Sequence, residues 1–102
     1  MAYKSFNESC YELLRTVPKG RVTTYKELAN ALGTKAYRAV GTAMKKNPNL
    51  PKTPCHRVVN SNGELGGYLL GLNEKIKLLK KESIEVENGK IIDFEKKLFE
   101  FK

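Results

Sequence analysis

Hydrophobic residues recur at helical spacing in the first part of the chain. Over residues 5–17 the apolar side chains lie three or four positions apart, which predicts an amphipathic helix with Ser5 as its N-cap. Cys10 falls on the apolar stripe of this helix, where a free cysteine is expected to act as a small core residue. A proline and a glycine then end the helix, and a short extended segment is predicted around residues 21–23.

Two more helices are predicted on either side of a glycine. Thr24 opens a T-x-x-E pattern, which is typical of a capping box and predicts a helix at about residues 25–32. Gly33 suits the left-handed position after this helix, and Thr34 is expected to cap a second helix over residues 35–46. Two short helices across a tight turn have the outline of a helix-turn-helix.

The second of these helices has two different faces. The face expected to pack on the core carries Ala36, Val40, Ala43 and Met44. The candidates for the opposite face are Tyr37, Arg38 and Gly41. Small side chains, including Ala39 and Thr42, would let the helix approach either a groove or a neighbouring helix closely, and the pattern leaves both interpretations open.

The second half of the chain begins with a proline-rich loop at residues 47–54, which cannot be helical and leads into Cys55. A further amphipathic helix is predicted at about residues 72–82, with an apolar stripe that includes Leu72. Alternation around an Asn-Gly turn then predicts a β-hairpin over residues 84–92, which the aromatic tail would close against the core. The expected fold is a mostly helical α+β domain.

Length and composition limit the classes of protein to consider. A chain of 102 residues has room for one core, so we expect a single domain over residues 1–102 without a separate N-terminal domain, and a hairpin and tail over residues 84–102. No apolar run approaches the roughly 20 residues that cross a bilayer, and no signal peptide is recognisable. We expect a cytoplasmic protein that does not bind membranes. Two cysteines and one histidine cannot supply a usual zinc site, so no metal or cofactor is expected.

The positive charge is concentrated in the middle of the chain. The net charge is +8, but residues 15–57 contain ten basic residues and one acidic residue, whereas the remainder is slightly negative. A solvated surface usually mixes both signs, so this segment favours a polyanionic partner. Nucleic acid is preferred over a membrane surface, because the basic segment also contains the predicted helix pair.

Cys55 is the candidate nucleophile, although the local pattern does not decide the matter. Neighbouring side chains on an extended segment point to opposite faces, so the adjacent His56 does not by itself form a catalytic pair with the cysteine. Positive charge from Arg57, Lys52 and His56 would lower the thiol pKa from about 8.5 and increase the thiolate fraction. From these residues alone, a reactive thiol and an inert buried thiol remain equally open.

Four segments together resemble a known family. They are Pro-Cys-His-Arg-Val-Val at 54–59, Tyr-Lys-Glu-Leu-Ala at 25–29, Tyr-Arg-Ala-Val-Gly-Thr-Ala-Met at 37–44, and Asn-Pro at 47–48. Over about residues 6–83 the chain resembles the O6-alkylguanine-DNA alkyltransferases, also called methylated-DNA–protein-cysteine methyltransferases. The resemblance implies a monomeric DNA repair protein that transfers the alkyl group of O6-alkylguanine, with O4-alkylthymine as a further candidate substrate, to a cysteine. Each molecule would act once.

The resemblance assigns five residues to the reaction. Cys55 would be the nucleophile, His56 would take the thiol proton, and Glu82, twenty-seven residues after the cysteine, would orient His56. Asn47 would brace the loop that holds the cysteine. Tyr25 would assist base flipping and hydrogen-bond the guanine.

A second set of residues would contact double-stranded DNA or the flipped base. The damaged nucleotide must leave the base stack before a thiolate can reach its alkyl carbon. Arg38 would fill the gap that the base leaves, on a helix that in this family enters the minor groove. The implied contact residues are Tyr25, Lys26, Tyr37, Arg38, Ala39, Gly41, Met44, Val58, Ser61 and Tyr68.

The chain departs from the family pattern at several positions, and two alternatives remain. Leu69 and Leu70 stand where small or polar residues are common after the pocket tyrosine, which leaves the accepted adduct size open, and Ser83 stands where a glycine is frequent. A non-catalytic, alkyltransferase-like protein that marks lesions for other repair factors is the main alternative, but in such relatives the cysteine is replaced, commonly by tryptophan. A thiol hydrolase would need a separate histidine, and His56 is the only one.

Overall fold

Short helices and two-residue strands make up the fold. The computed structural model describes residues 5–50 and 52–101, and five helices and four strands are found within them. In chain order the elements are α1 (Phe6–Arg15), β1 (Thr23–Thr24), α2 (Tyr25–Ala31), α3 (Tyr37–Lys45), β2 (Val58–Val59), α4 (Leu72–Lys81), β3 (Val86–Glu87), β4 (Lys90–Ile91) and α5 (Phe94–Lys97). A 3₁₀ turn, Cys55–Arg57, directly precedes β2. The predicted α+β class is confirmed.

Side-chain caps fix the beginnings of the first two helices. The hydroxyl of Ser5 accepts a hydrogen bond from the backbone N–H of Glu8 at 3.1 Å, as the N-cap prediction required. The hydroxyl of Thr24 accepts one from the N–H of Glu27 at 2.9 Å in the same way. The first helix ends at Arg15, two residues before its predicted end.

The start of α3 differs from the prediction. The Thr34 hydroxyl accepts from the N–H of Ala36 at 3.1 Å, which closes a short turn instead of capping a helix. The helix therefore begins at Tyr37, and Ala36, expected in the core, is an exposed N-cap. The helical spacing that predicted a core position for Ala36 does not apply, because Ala36 lies before the first residue of the helix. Gly33 has the predicted left-handed conformation, with φ of +73°, and α2 and α3 pack against each other across this turn.

A small parallel sheet joins two distant parts of the chain. Thr23 pairs with Val58 and Thr24 pairs with Val59, so the segment before α2 lies beside the segment after Cys55. The tail extends this pairing on the other side of β1. The N–H of Val22 donates to the carbonyl of Lys97 at 2.9 Å, and the N–H of Phe99 donates back to Val22 at 2.7 Å.

The predicted C-terminal hairpin is present as β3 and β4. Asn88 and Gly89 form its turn with φ of +52° and +75°, the left-handed pair that a tight two-residue hairpin requires. The turn is attached to the rest of the fold, because the N–H of Leu65 donates to the carbonyl of Gly89 at 3.0 Å. The N–H of Ile91 also donates to the carbonyl of Gly63, at 2.9 Å.

The burial pattern of helix α4 agrees only in part with the predicted apolar stripe. Its bounds agree with the prediction to within one residue, and Leu79 is fully buried, but Leu72 is 49% exposed although it begins the predicted apolar stripe. The other buried residue of the helix is Lys75. Ser83 follows the helix in the left-handed conformation, with φ of +64°, which explains why a glycine suits this position.

Two groups of buried side chains form the core. One joins α1, α2 and α3 and includes Leu14, Leu28 and Val40, together with Cys55. Cys10 belongs to this group, as predicted. The other joins α4 and the hairpin to residues Val22 and Val59 beside the paired segments β1 and β2. None of the helices in the described part of the chain is long and apolar enough to span a membrane.

The hydrogen bond that caps α2 should contribute measurably to the stability of the fold. The change Thr24→Ala removes the acceptor for the Glu27 N–H and should lower the free energy of unfolding by about 1–2 kcal/mol. Urea denaturation measures this difference. The matched control is Thr42→Ala, since Thr42 is exposed within α3 and caps nothing, so its loss should be within about 0.5 kcal/mol. Equal losses in the two variants would contradict the capping role.

Candidate active site

The cysteine lies in a turn and not in the extended segment that the sequence predicted. The N–H of Cys55 donates to the carbonyl of Thr53 and the N–H of Arg57 donates to that of Pro54, both at 2.9 Å, so residues 55–57 form one 3₁₀ turn. Cys55 is 4% exposed and lines a cavity of about 380 Å³. The residues around this cavity are Tyr25, Gly41, Met44, Lys45, Cys55, Gly67, Tyr68 and Leu69.

Asn47 holds the loop that leads to the cysteine. Its amide nitrogen donates to the carbonyl of Thr53 at 2.7 Å, and its amide oxygen accepts from the N–H of Asn49 at 3.0 Å. The residue is buried, and both groups of its side chain are therefore used. The loop is also held from α1, because Arg15 donates to the hydroxyl of Thr53 at 3.0 Å.

His56, Arg57 and Glu82 form one largely buried cluster. The Nε2 atom of His56 lies 3.0 Å from Oε2 of Glu82, and Arg57 donates to both carboxylate oxygens, at 2.8 and 2.6 Å. Arg57 also donates to the carbonyl of Val17 at 2.8 Å. Burial alone would raise the pKa of Glu82, but the hydrogen bonds and charges of Arg57 and His56 outweigh it and lower this pKa to about 2. Glu82 is consequently ionised at neutral pH.

The ionised carboxylate orients the imidazole. Because Glu82 accepts at Nε2, the proton of a neutral His56 ring is assigned to that nitrogen, and Nδ1 is left as an acceptor. The Nδ1 atom is buried and has no hydrogen-bond partner among the described residues. The neutral imidazole of His56 therefore has one nitrogen, Nδ1, that is free to accept a proton.

The predicted effect of neighbouring charge on the thiol is wrong. Burial raises the pKa of Cys55, and a hydrogen bond from Asn47 and the charge of Lys75 only partly oppose it. Arg57 does not supply the expected charge because its guanidinium is bound to Glu82. Lys52 is exposed to solvent. A buried thiol is harder to ionise than an exposed one, whatever its sequence neighbours.

Lys75 is the main residue of the site that the sequence prediction missed. Its side chain is fully buried, and its ammonium group donates to the backbone carbonyls of Val58, Leu65 and Gly67. The first and last of these hydrogen bonds measure 2.7 and 3.0 Å. The available signal was its position four residues before Leu79, which places a lysine on the apolar stripe of α4.

Two tyrosines lie beside the cysteine. Burial raises the pKa of Tyr25 above its ordinary value and that of Tyr68 to about 12, so both phenols keep their protons at neutral pH. The Tyr68 ring meets the His56 ring edge to face at 6.4 Å, and its hydroxyl has no partner among the described residues. Gly66 has φ of +68°, and a Cβ there would lie 3.3 Å from the Tyr25 hydroxyl, which explains the glycine.

An open groove of about 640 Å³ adjoins the cavity and shares Tyr25, Gly41 and Gly67 with it. Its other lining residues are Lys26, Tyr37, Arg38, Asn60, Ser61 and Asn62. The structure thus brings together most of the implied contact residues, and adds Asn60 and Asn62. Ala39 lines neither space and is half-buried.

The remaining expected pocket residues have different surroundings. Val58 is fully buried in the core, and its carbonyl accepts from Lys75. Leu69 lines the cavity and is 45% exposed, whereas Leu70 is 59% exposed and lies outside the cavity lining. The exposed apolar side chain of Leu69 therefore forms part of the cavity wall. Among the described residues, no three His, Cys, Asp or Glu side chains are grouped as metal ligands would be.

Comparison with known proteins identifies the class. Residues 5–84 match the family described as 6-O-methylguanine DNA methyltransferase, DNA binding domain, so the chain belongs to this family. It is 53% identical over 78 residues to a methylated-DNA–protein-cysteine methyltransferase from Metallosphaera sedula, a match that covers 76% of this chain and 49% of that protein. The chain spans about half the length of this relative and of others with the same name.

Solved structures agree with this assignment. OGT from Mycobacterium tuberculosis in complex with DNA is 39% identical, with a TM-score of 0.74, over 79% of this chain and 51% of that chain. S. pombe Atl1, in complex with damaged DNA containing O6-carboxymethylguanine, is 27% identical with a TM-score of 0.82. This second match covers 99% of the present chain and 100% of Atl1.

The cluster around Glu82 predicts a characteristic loss of stability in acid. The pKa of Glu82 is about 2 in the folded protein and has an ordinary value of 4.5, so the carboxylate stabilises the fold above about pH 4.5. As the pH falls towards 2, up to about 3 kcal/mol of this stabilisation should disappear. Urea denaturation between pH 6 and 2 measures the loss.

Two glutamine variants control this experiment. Glu82→Gln should be less stable at pH 6 and should lose less stability on acidification, because it has no charge to neutralise. Glu85→Gln should keep the slope of the unchanged protein, since Glu85 is exposed and outside the cluster. A Glu82→Gln variant with the same acid slope as the unchanged protein would contradict the assignment.

Proposed function

We propose that the chain repairs alkylated DNA directly, by moving the alkyl group of O6-alkylguanine in double-stranded DNA to Cys55. The observation that carries this proposal is that Cys55 lines a cavity that shares Tyr25, Gly41 and Gly67 with a groove containing Lys26 and Arg38. A cavity of about 380 Å³ lies within the range that small ligands occupy, so an extruded base is a suitable occupant. The family match supports the same substrate.

The reaction begins with the thiol proton. His56 takes this proton at Nδ1, and the positive charge that develops on the imidazole is stabilised by the Glu82 carboxylate at 3.0 Å. Without this base, the raised pKa of Cys55 leaves little thiolate at neutral pH. The fixed acceptor at Nδ1 and the ionised carboxylate behind it are the two features that the step requires.

Transfer then exchanges one bond for another. The electron pair of the Cys55 thiolate forms a bond to the alkyl carbon, and the bond between that carbon and guanine O6 breaks. Its electron pair stays with the guanine, which leaves as an anion and is neutralised by a proton. Tyr25, protonated because burial raises its pKa, can donate a hydrogen bond to this leaving group. The cysteine ends as a thioether, so each molecule reacts once.

Access to the alkyl carbon requires the nucleotide to leave the stack. We assign the insertion into the vacated space to Arg38, which is exposed on α3 and lines the open groove. Lys26, in the same groove, would contact the phosphate backbone, as would the polar residues Ser61 and Asn62. The concentration of positive charge in residues 15–57 supports binding that weakens steeply as salt is added.

Binding without transfer is the second candidate function. The observation in its favour is the match with S. pombe Atl1, which extends over the full length of both chains. The presence of Cys55 argues for transfer, because a thiol in the cavity is what the chemistry needs. As part of the same proposal, we infer that the protein acts on O6-alkylguanine as a monomer and in the cytoplasm.

The mass of the protein separates the two candidates. After incubation with a duplex that contains O6-methylguanine, the protein should gain the mass of one methyl group on Cys55, in an amount that never exceeds one per molecule. Cys55→Ala should bind the same duplex and gain nothing, while Cys10→Ala should react normally, since Cys10 lies in the helical core. Tight binding by the unchanged protein without a gain in mass would favour the second candidate.

The role of Arg38 predicts a difference between two substrates. Arg38→Ala should slow transfer from duplex DNA by at least about tenfold, because losing an inserted side chain costs a few kcal/mol of base extrusion. Transfer from the free alkylguanine base, which needs no extrusion, should fall much less. Lys80→Ala removes an exposed positive charge outside the basic segment and serves as the matched control. Equal losses on both substrates would remove the insertion role from Arg38.

A further inference from the structure

The C-terminal segment adds a third strand to the small parallel sheet. The backbone of Val22, which precedes β1, donates to the carbonyl of Lys97 at 2.9 Å and accepts from the N–H of Phe99 at 2.7 Å. Val22 and Leu98 form a parallel bridge. Residues 97–101, the tail strand, therefore lie beside β1 on the edge opposite β2. They are outside residues 5–84, the part of the chain that matches the family.

A buried hydroxyl joins the tail strand to β1. The side chain of Thr23 is fully buried, and its hydroxyl donates to the carbonyl of Phe99 at 3.1 Å. Among the residues that the structure describes, no other group bonds to this hydroxyl. Buried polar groups are nearly always hydrogen-bonded, because the alternative leaves them with neither water nor a partner. The tail strand thus satisfies a polar group of the strand that leads into the active site.

The rings of Phe99 and Phe101 join the tail strand to the core. They meet edge to face, with their centroids 5.3 Å apart, and pack against the group of buried side chains that joins α1, α2 and α3. Tyr25 packs against the same group. One set of core residues therefore supports both the tail strand and the tyrosine that lines the cavity.

The position of Tyr25 depends on the strand that the tail strand supports. Tyr25 directly follows Thr24, the last residue of β1, and β1 pairs with β2, which directly follows the cysteine turn. Each of these strands is two residues long. A sheet of only two strands is marginally stable by itself, whereas a third strand stabilises it. A displacement of β1 relative to β2 would move the Tyr25 hydroxyl relative to Cys55.

We propose that the tail strand is a positioning element of the active site, in which Thr23 and Phe99 hold β1 in place and thereby fix the Tyr25 hydroxyl in the cavity. Neither residue lines the cavity or the groove, so both act through Tyr25. A donor to the departing guanine is effective only when it is already in place as charge develops on that base. The effect on transfer rests on the proposed function, whereas the placement of Tyr25 does not.

The first test follows the Tyr25 ring by NMR in protein labelled with ¹³C on its tyrosine rings, without any DNA. The Tyr25 signal is identified by its absence from Tyr25→Phe. Phe99→Ala and Thr23→Val should each shift or broaden this signal, since each removes one attachment of the tail strand. The signal of Tyr37, exposed on α3, should not change. Glu100→Ala, at an exposed position of the tail strand itself, should leave both signals unchanged.

The two variants differ in severity. Thr23→Val is the milder one, because it keeps the shape of the buried side chain and removes only the hydroxyl. Thr23→Ser returns the hydroxyl and should restore most of the original Tyr25 signal. An unchanged Tyr25 signal in folded Thr23→Val or in folded Phe99→Ala would overturn the proposal, and so would an equal change in Glu100→Ala.

A double-mutant cycle separates this role from a general loss of stability. The rate of transfer from an O6-methylguanine duplex is measured with saturating protein, at a temperature where every variant is folded. Phe99→Ala should lower this rate by about fivefold, while its binding to the duplex stays within about threefold. In the Tyr25→Phe background, where the hydroxyl is already absent, Phe99→Ala should lower the rate by less than about twofold. Equal losses in the two backgrounds would overturn the proposal.

The two measurements distinguish this inference from the proposed function. If the Tyr25 signal changes in the variants but the unchanged protein transfers no methyl group, the proposed function fails and the placement of Tyr25 by the tail strand stands. If the unchanged protein transfers the group and the Tyr25 signal is the same in every folded variant, the proposed function stands and the positioning role is overturned.

Discussion

The carboxylate of Glu82 is the constraint on which the site depends. It stands at the end of α4 and binds both His56 and Arg57 of the turn that carries Cys55. Arg57 in turn reaches back to the carbonyl of Val17 after α1, so a single ion cluster connects three parts of the chain. Removing one member of such a cluster leaves the others buried without a partner, which costs more than the cluster contributes as a whole. The geometry of the histidine is therefore tied to the stability of the fold.

The parallel pairing of β1 with β2 is the second determinant of the site. It aligns Thr23 and Thr24 with Val58 and Val59, and Tyr25 follows the first strand directly while the cysteine turn precedes the second. The tyrosine and the cysteine are thirty residues apart in the sequence but line one cavity for this reason. The C-terminal tail, which lies beyond the family match, supports β1 from its other side through Val22.

The sequence predicted the features that depend on local chemistry. Ser5 and Thr24 cap their helices as expected because a cap is decided within four residues, and the Asn-Gly turn forms its hairpin for the same reason. It did not predict what depends on tertiary packing. The exposure of Ala36, the turn at Cys55 and the burial of Lys75 follow from neighbours that are distant in sequence. The resemblance supplied Glu82 and His56 as a pair, which spacing alone could not have linked.

A buried thiol with a raised pKa would suit the proposed reaction, in which each molecule acts once. Burial keeps Cys55 neutral at rest, which protects it from oxidation and from adventitious electrophiles that react with exposed thiolates. The intrinsic nucleophilicity of a thiolate increases with the pKa of its thiol, so a sulfur deprotonated by His56, as we propose, would be a stronger nucleophile than the thiolate of a thiol with a lowered pKa. Because the proposed product is a thioether that is not regenerated, a permanently reactive cysteine would bring no advantage. In the proposed reaction the thiol needs to ionise only when a base occupies the cavity, and the pair formed by His56 and Glu82 would then remove its proton.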